Sequence, residues 1–210
     1  MTKDIPNFIK RCNHCHLRGR INGRVPGLMG TRNIGFKAEE IAVDICKLRD
    51  AQGYIGVLGI IDRCSRYVRW VPCRPDPTTR DVIGLIMSNW VSIFGFPTII
   101  RSDNERIFDS ELWRRYWTGA GTVVSHSTPH HPQANGIAER SFRTLISRLR
   151  LVLESLQDSD WLSVLPFVKG MHNATPRASL AGLSPSQVML GYTPRWDRLP
   201  PTKQPRHRQT

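Results

Sequence analysis

The sequence has no apolar stretch approaching the roughly eighteen residues that a membrane-spanning helix needs. Its longest apolar run, around Tyr54–Ile61, is interrupted by glycines. The N-terminal stretch MTKDIPNFIKRCNHCHLRGR is polar and basic and lacks the apolar segment of a secretory leader, so secretion is not indicated. Cysteine is sparse and odd in number, five in 210 residues. Without a leader these cysteines read as reduced thiols or metal ligands, not as a disulfide framework. Acidic residues are few as well, 17 against 30 Lys and Arg. Together these shortages set aside the membrane-spanning, secreted and disulfide-scaffold classes.

What is present is ordinary for a folded chain. Hydrophobic residues make up 40% and charged residues 22%, enough to exclude a wholly disordered polymer and to fill one or two domains. The net charge of +13 points to a polyanionic partner, and its distribution sharpens the point. Residues 1–37 carry eight Lys and Arg against one Asp, and residues 199–210 carry Lys203, Arg206 and Arg208 with no acid. The stretch between them holds 19 bases and 16 acids. Basic arms therefore flank a nearly balanced body.

Patterning outlines that body. Residues 17–38 are rich in glycine and arginine without periodicity and read as a linker. Ile41, Val43 and Ile45 then alternate with Ala42, Asp44 and Cys46, which marks a strand, and QGYIGVLGIIDR and SRYVRWVPC continue it as a hairpin or meander. A helix capped at Thr79 or a neighbour carries the stripe Val82, Ile86, Trp90, Ile93 and stops at Gly95–Pro97. Short strands are expected at Thr98–Ser102 and Thr122–Ser125, with a helix at Ser110–Tyr116 between them. A long helix from about Asn135 bears the stripe Phe142, Leu145, Leu149, Val152, Leu156. Trp161–Asn173 and Ser184–Leu190 read as further helices. Three antiparallel strands followed by strand–helix alternation predict an α/β protein with a mixed sheet and helices on both faces.

Three acids stand out by position. Asp44 lies mid-strand on a sheet face, where an ionised carboxylate is costly without a compensating cation or donor. Asp103 follows the strand ending at Ser102, where open α/β sheets place ligands. Glu139 lies in the first turns of the long helix, and Arg143 and Arg150 fall within about 40° of it on the helical wheel. An isolated helix with such a stripe is, by itself, simply a solvated charged face. Asp103 and Glu139 have 35 residues between them, but so do Asp4 and Glu40, so spacing alone decides nothing. Asp62, in GIIDRCSRY, is the rival first acid; its position beside Arg63 reads as a turn aspartate in a local ion pair. His126, His130 and His131 share one loop without a matching fourth ligand. Cys46, Cys64 and Cys73 read as small core or strand residues.

Context separates these readings. FGFPTIIRSDNERIFDSELW around Asp103 and STPHHPQANGIAERSFRTLISRLR around Glu139, joined to VDICKL and GIIDRCSRYVRWVPC, resemble the catalytic core of retroelement integrases. These are the D-D-35-E polynucleotidyl transferases, and the likeness is greatest to the gypsy class of LTR retrotransposons. It runs from about Asp4 to Trp196. The resemblance implies a ribonuclease-H-like mixed five-stranded sheet flanked by helices, with Asp44, Asp103 and Glu139 as a catalytic triad holding Mg²⁺ or Mn²⁺. The implied activity is trimming of DNA 3′ ends and their transfer into target DNA by a two-metal in-line displacement. Gln133, Asn135 and Gly136 would form a DNA-contacting loop, though a Pro-Gly loop with a cap at Asn135 fits them equally. Arg143 and Arg150 would meet phosphate. Glu105 stands where glycine usually follows the SDN string.

By the same resemblance Cys12 and Cys15 are the second half of an HHCC zinc module. Its histidine half is absent from this sequence, which leads us to expect an incomplete module and weak Zn²⁺ binding. The expected organisation is a partial zinc module over 1–16, a basic linker over 17–38, a catalytic core over 39–157, a helical extension over 158–197 and a basic Pro-rich tail over 198–210. Expected partners are DNA, both element ends and target duplex, and further copies of the chain, with no membrane; the expected location is the nucleus. Two rivals stay open: an integrase-derived nucleic-acid-binding protein that no longer cuts DNA, and a ribonuclease H or resolvase relative on the same fold.

Overall fold

Apolar alternation builds the first strand as expected. The computed structural model describes residues 35–126, 136–156 and 160–194. The chain divides into two units, Met1–Asn33 and Ile34–Thr210, and every described residue lies in the second. In β1 (Glu40–Ala51), Ile41, Val43 and Ile45 face one hydrophobic cluster while Cys46 faces another. The chain reverses through Gln52 and Gly53, both at positive φ, a two-residue turn whose twist suits antiparallel strands. β2 (Tyr54–Asp62) then pairs antiparallel with β1, and β3 (Val68–Cys73) antiparallel with β2. On the other side of β1, β4 (Ile99–Ser102) and β5 (Val123–His126) add in parallel. The order is β3-β2-β1-β4-β5, the mixed five-stranded sheet that the sequence predicts.

Helices cover both faces. On one side lie α1 (Thr79–Ile86), which continues as a π-helical turn over Met87–Val91 and a last turn over Ser92–Phe94, and α2 (Glu111–Gly119). Their Val82, Ile86, Trp90, Trp113 and Trp117 pack fully buried on Ile41, Val43, Leu58 and Ile60. On the other side lie α3 (Gly136–Leu156) and α4 (Trp161–Ala174), whose Phe142, Leu145, Leu149 and Trp161 pack on Val57, Ile61 and Trp70. A 3₁₀ turn at Ala178–Leu180 leads to α5 (Pro185–Leu190), whose Met189 joins the first cluster. Large aromatic areas removed from water on both faces supply most of the drive to close this sandwich.

The structure departs from the sequence reading at three points, each for a physical reason. Ile93 is 52% exposed and is not the end of the α1 stripe. The π turn inserts an extra residue into the winding, so Phe94 takes that place and packs on Trp90 and Tyr67. Leu156 is also exposed, because the α3 stripe outruns the core after Leu153. The third departure concerns Asp62. It is fully buried, and its carboxylate accepts from the backbone N–H of Ala38 (2.9 Å) and from the N–H and O–H of Ser65 (2.6 Å each). Arg63 turns instead to Glu40, which also pairs with Arg101 across the β1–β4 junction. Asp62 thus ties the chain entering β1 to the β2–β3 turn.

Candidate active site

Register sets the site. Asp44 sits on the α3 side of β1, directly opposite Gly59 of β2. A Cβ on Gly59 would stand 2.7 Å from Phe142 Cζ, so only glycine lets α3 settle this close to the sheet. Phe142 and Glu139 are one turn apart on α3, and seating Phe142 over Gly59 brings Glu139 toward Asp44. Asp103 arrives from the neighbouring element: β4 runs parallel to β1, with Ala42 level with Arg101, and Asp103 is the first residue beyond its end. The parallel pairing thus places Asp103 near the level of Asp44.

Charge follows from that placement. Burial, reinforced by the negative charge of Asp103, pushes the Asp44 carboxyl up to about 7; Glu105 and Glu139 add to the repulsion, and the backbone N–H of Ile45 opposes it. That N–H, at 2.8 Å, is the hydrogen bond Asp44 receives, and no described base pairs with it. Glu105 is raised too, by burial and by Asp103, with Lys47 working the other way. Asp103 Oδ1 accepts from the Glu105 N–H at 3.0 Å, closing a turn that brings Glu105 alongside. Four carboxylates therefore share one field, although among the described residues no three His, Cys, Asp or Glu side chains gather closely enough to cage a metal ion. A concavity of about 530 Å³ along the β5 edge, lined in part by Arg114, Thr118, Val123 and His126, is bordered by none of these carboxylates. The acids lie on an open face.

Of the residues expected to act at the site, Asp103 and Glu139 each lie within electrostatic range of Asp44. Arg143 and Arg150 lie exposed on α3, and Gly136 is its first residue. Gln133, Asn135, Cys12, Cys15, His130 and His131 lie outside the described residues. Sequence reasoning set His126 in a loop with His130 and His131; it is instead the last residue of β5, and its contact with Asp103 was missed. Its Nδ1 donates to the Asp103 carbonyl (3.2 Å) and lies 3.3 Å from Ser102 Oγ, so it steadies the end of β4 from β5. The signal was the parallel β4–β5 register, which sets Ser102 level with His126 and which sequence alone does not reveal. Among the thiols, Cys73 is buried, and burial raises it to about 11; Cys46 and Cys64 are partly exposed strand and turn residues.

No protein-family model matches the chain. Over 194 residues, 91% of its length, it is 25% identical to the transposon Tf2-3 and Tf2-4 polyproteins of Schizosaccharomyces pombe. It spans 14% of the length of those relatives. Its fold is similar to the HTLV-2 integrase catalytic core domain, solved in complex with magnesium in a dimeric form. The TM-score there is 0.60 at 16% identity, covering 73% of this chain and 97% of that one. The simian T-cell lymphotropic virus intasome, solved in complex with the PP2A regulatory subunit B56 gamma, gives a TM-score of 0.66 at 17% identity, covering 97% of this chain and 71% of that one. The fold is that of integrase catalytic cores.

Proposed function

We propose that this chain is the catalytic region of a DNA-integrating polynucleotidyl transferase, with Asp44, Asp103 and Glu139 as its metal-holding carboxylates. The observation that carries this reading is the placement of Asp44. It is a half-buried carboxylate, in the negative field of Asp103, Glu105 and Glu139, without a described base to offset it. A fold does not keep such repulsion to stabilise itself. Hard divalent cations prefer carboxylate oxygens and answer that charge, and likeness in fold to an integrase core solved with magnesium supports Mg²⁺ as the natural ion. When bound there, Mg²⁺ or Mn²⁺ neutralises charge on the attacking and leaving oxygens of an in-line displacement at a phosphodiester.

The chain's own groups do the rest. Asp44, Asp103 and Glu139 would hold the metal through their carboxylate oxygens. His126 holds the Asp103 backbone in place. Arg143 and Arg150, exposed on α3, would take phosphates of the DNA being joined, as would Gly136 at the start of that helix and Gln133 and Asn135, which precede it in the sequence. The nucleophile is water when an end is trimmed and the DNA 3′-hydroxyl when that end is joined. The likeness to cores solved in dimeric and trimeric forms supports self-association, and action on chromosomal DNA would place the protein in the nucleus. Incubation with a branched DNA and with an RNA–DNA hybrid, each with and without Mn²⁺, tests the reading. We expect metal-dependent joining and release on the branched DNA and no cleavage of the hybrid. Cleavage of the hybrid alone would assign the site to a ribonuclease H.

A further inference from the structure

On the face formed by the β2–β3 turn, α3 and the segment after α4, four arginines from three segments gather, and none is paired with a described acid. Arg148 of α3 donates to Thr175 Oγ1 at 3.3 Å, and Arg177 donates to Nε2 of His172 at 2.6 Å. That bond leaves the imidazole neutral with its proton on Nδ1. Burial, followed by the charges of Arg177 and Arg148, pulls His172 down to about 2, so it takes no part in proton exchange. Arg66, from the turn, and Arg140, one residue after Glu139, complete the group; burial and the charge of Arg140 both depress Arg66. Among the described residues, no carboxylate lies within 4 Å of any of the four guanidiniums. Arg66 Nη1, Arg148 Nη1, Arg177 Nε and His172 Nδ1 are all enclosed without a hydrogen-bond partner. The acid whose charge favours Arg66, Asp62, has its oxygens committed to Ala38 and Ser65.

Half-buried guanidiniums that repel one another and leave N–H groups unused are costly. The chain is short of acids to relieve them, 17 against 30 bases, and its ends are themselves basic. Among the described residues no counter-charge answers them, which leaves the group open to an anion from outside. Planar forks with paired N–H donors match phosphate oxygens. We infer that Arg66, Arg140, Arg148 and Arg177 form a phosphate site that takes the sugar–phosphate backbone of a nucleic-acid strand, separate from the carboxylate site. Arg140 adjoins Glu139 in sequence but lies about 100° around the helix from it, so the strand held here passes beside the carboxylates on the α4 side.

Binding of a fluorescent duplex to the full chain in EDTA, read by anisotropy across a salt series, tests this without metal or turnover. It is thereby independent of the catalytic reading. Arg148→Met, and Arg140→Met at an exposed position where folding is safe, should each weaken binding about tenfold and lower the salt slope by about one. Arg80→Met, exposed on α1, should change neither. In parallel, phosphate should raise the wild-type melting temperature above that in chloride at equal ionic strength. Arg148→Met should melt higher than wild type in chloride and lose the response to phosphate. Wild-type melting that is equal in the two anions, or unchanged slopes in both variants, would overturn the proposal. A phosphate response with unchanged DNA slopes would also overturn it, pointing to a small anion or an acidic peptide as the occupant.

Discussion

At the scale of single residues, Asp44 and Asp62 show how two similar aspartates acquire opposite roles. Asp62 has three donors around it and closes a turn; Asp44 has one donor and three acidic neighbours. Sequence position marked Asp44 because a mid-strand carboxylate is expensive, and the resemblance made it the expected first acid; the structure surrounds it with acids. The same logic failed for Asp62, whose adjacency to Arg63 predicted an ion pair. Arg63 instead finds Glu40, which is adjacent only once β1 and β2 are paired. The Asp44 carboxyl, near 7 in the fold and near 3.8 in an unfolded chain, binds its proton more tightly when folded. Its contribution therefore favours folding at low pH, declines as pH rises from about 4 to about 7, and is a full penalty above that. In EDTA, Asp44→Asn should gain stability over wild type by on the order of 1–3 kcal/mol between pH 5 and 8. Urea unfolding at several pH values checks this, and a pH-independent difference would contradict it.

At the scale of elements, the approach of α3 to the sheet depends on one absent side chain. Gly59 leaves the space that Phe142 occupies, and Phe142 fixes the height of Glu139. Gly59→Ala should cost about 1–3 kcal/mol from overpacking and lower phosphodiester transfer. Phe142→Leu in the same chain should recover part of both, as read by thermal unfolding and by product yield. A neutral Gly59→Ala would mean that α3 is positioned elsewhere. Most elements were legible because their apolar periods are clean: the alternation of Ile41, Val43 and Ile45, and the stripe Phe142, Leu145, Leu149. Ile93 was misread because a π turn is invisible to a 3.6-residue period. The approach of Asp103 and Glu139 to Asp44 was not legible from spacing at all. It depends on the parallel β1–β4 register and on the Gly59–Phe142 contact, both of them long-range.

At the scale of the molecule, the charge pattern and the site describe one kind of partner from two directions. Basic arms release counterions from any duplex, whatever its sequence. Removing residues 1–33, which carry seven Lys and Arg and one Asp, should lower the salt slope of DNA binding while leaving the folded unit intact. An unchanged slope in gel-shift titrations would move the contacts onto that unit. The carboxylate site is the more decisive matter, and a branched-DNA assay in Mn²⁺ tests it most directly. Wild type is compared with Asp44→Asn, Asp103→Asn and Glu139→Gln, each first shown to unfold cooperatively. Wild type should yield joined product, and each variant should fall by more than about 100-fold, since a lost ligand costs at least as much as a lost supporting contact. A folded variant that retains the wild-type rate, or a wild-type chain inactive with both Mg²⁺ and Mn²⁺, would contradict the assignment.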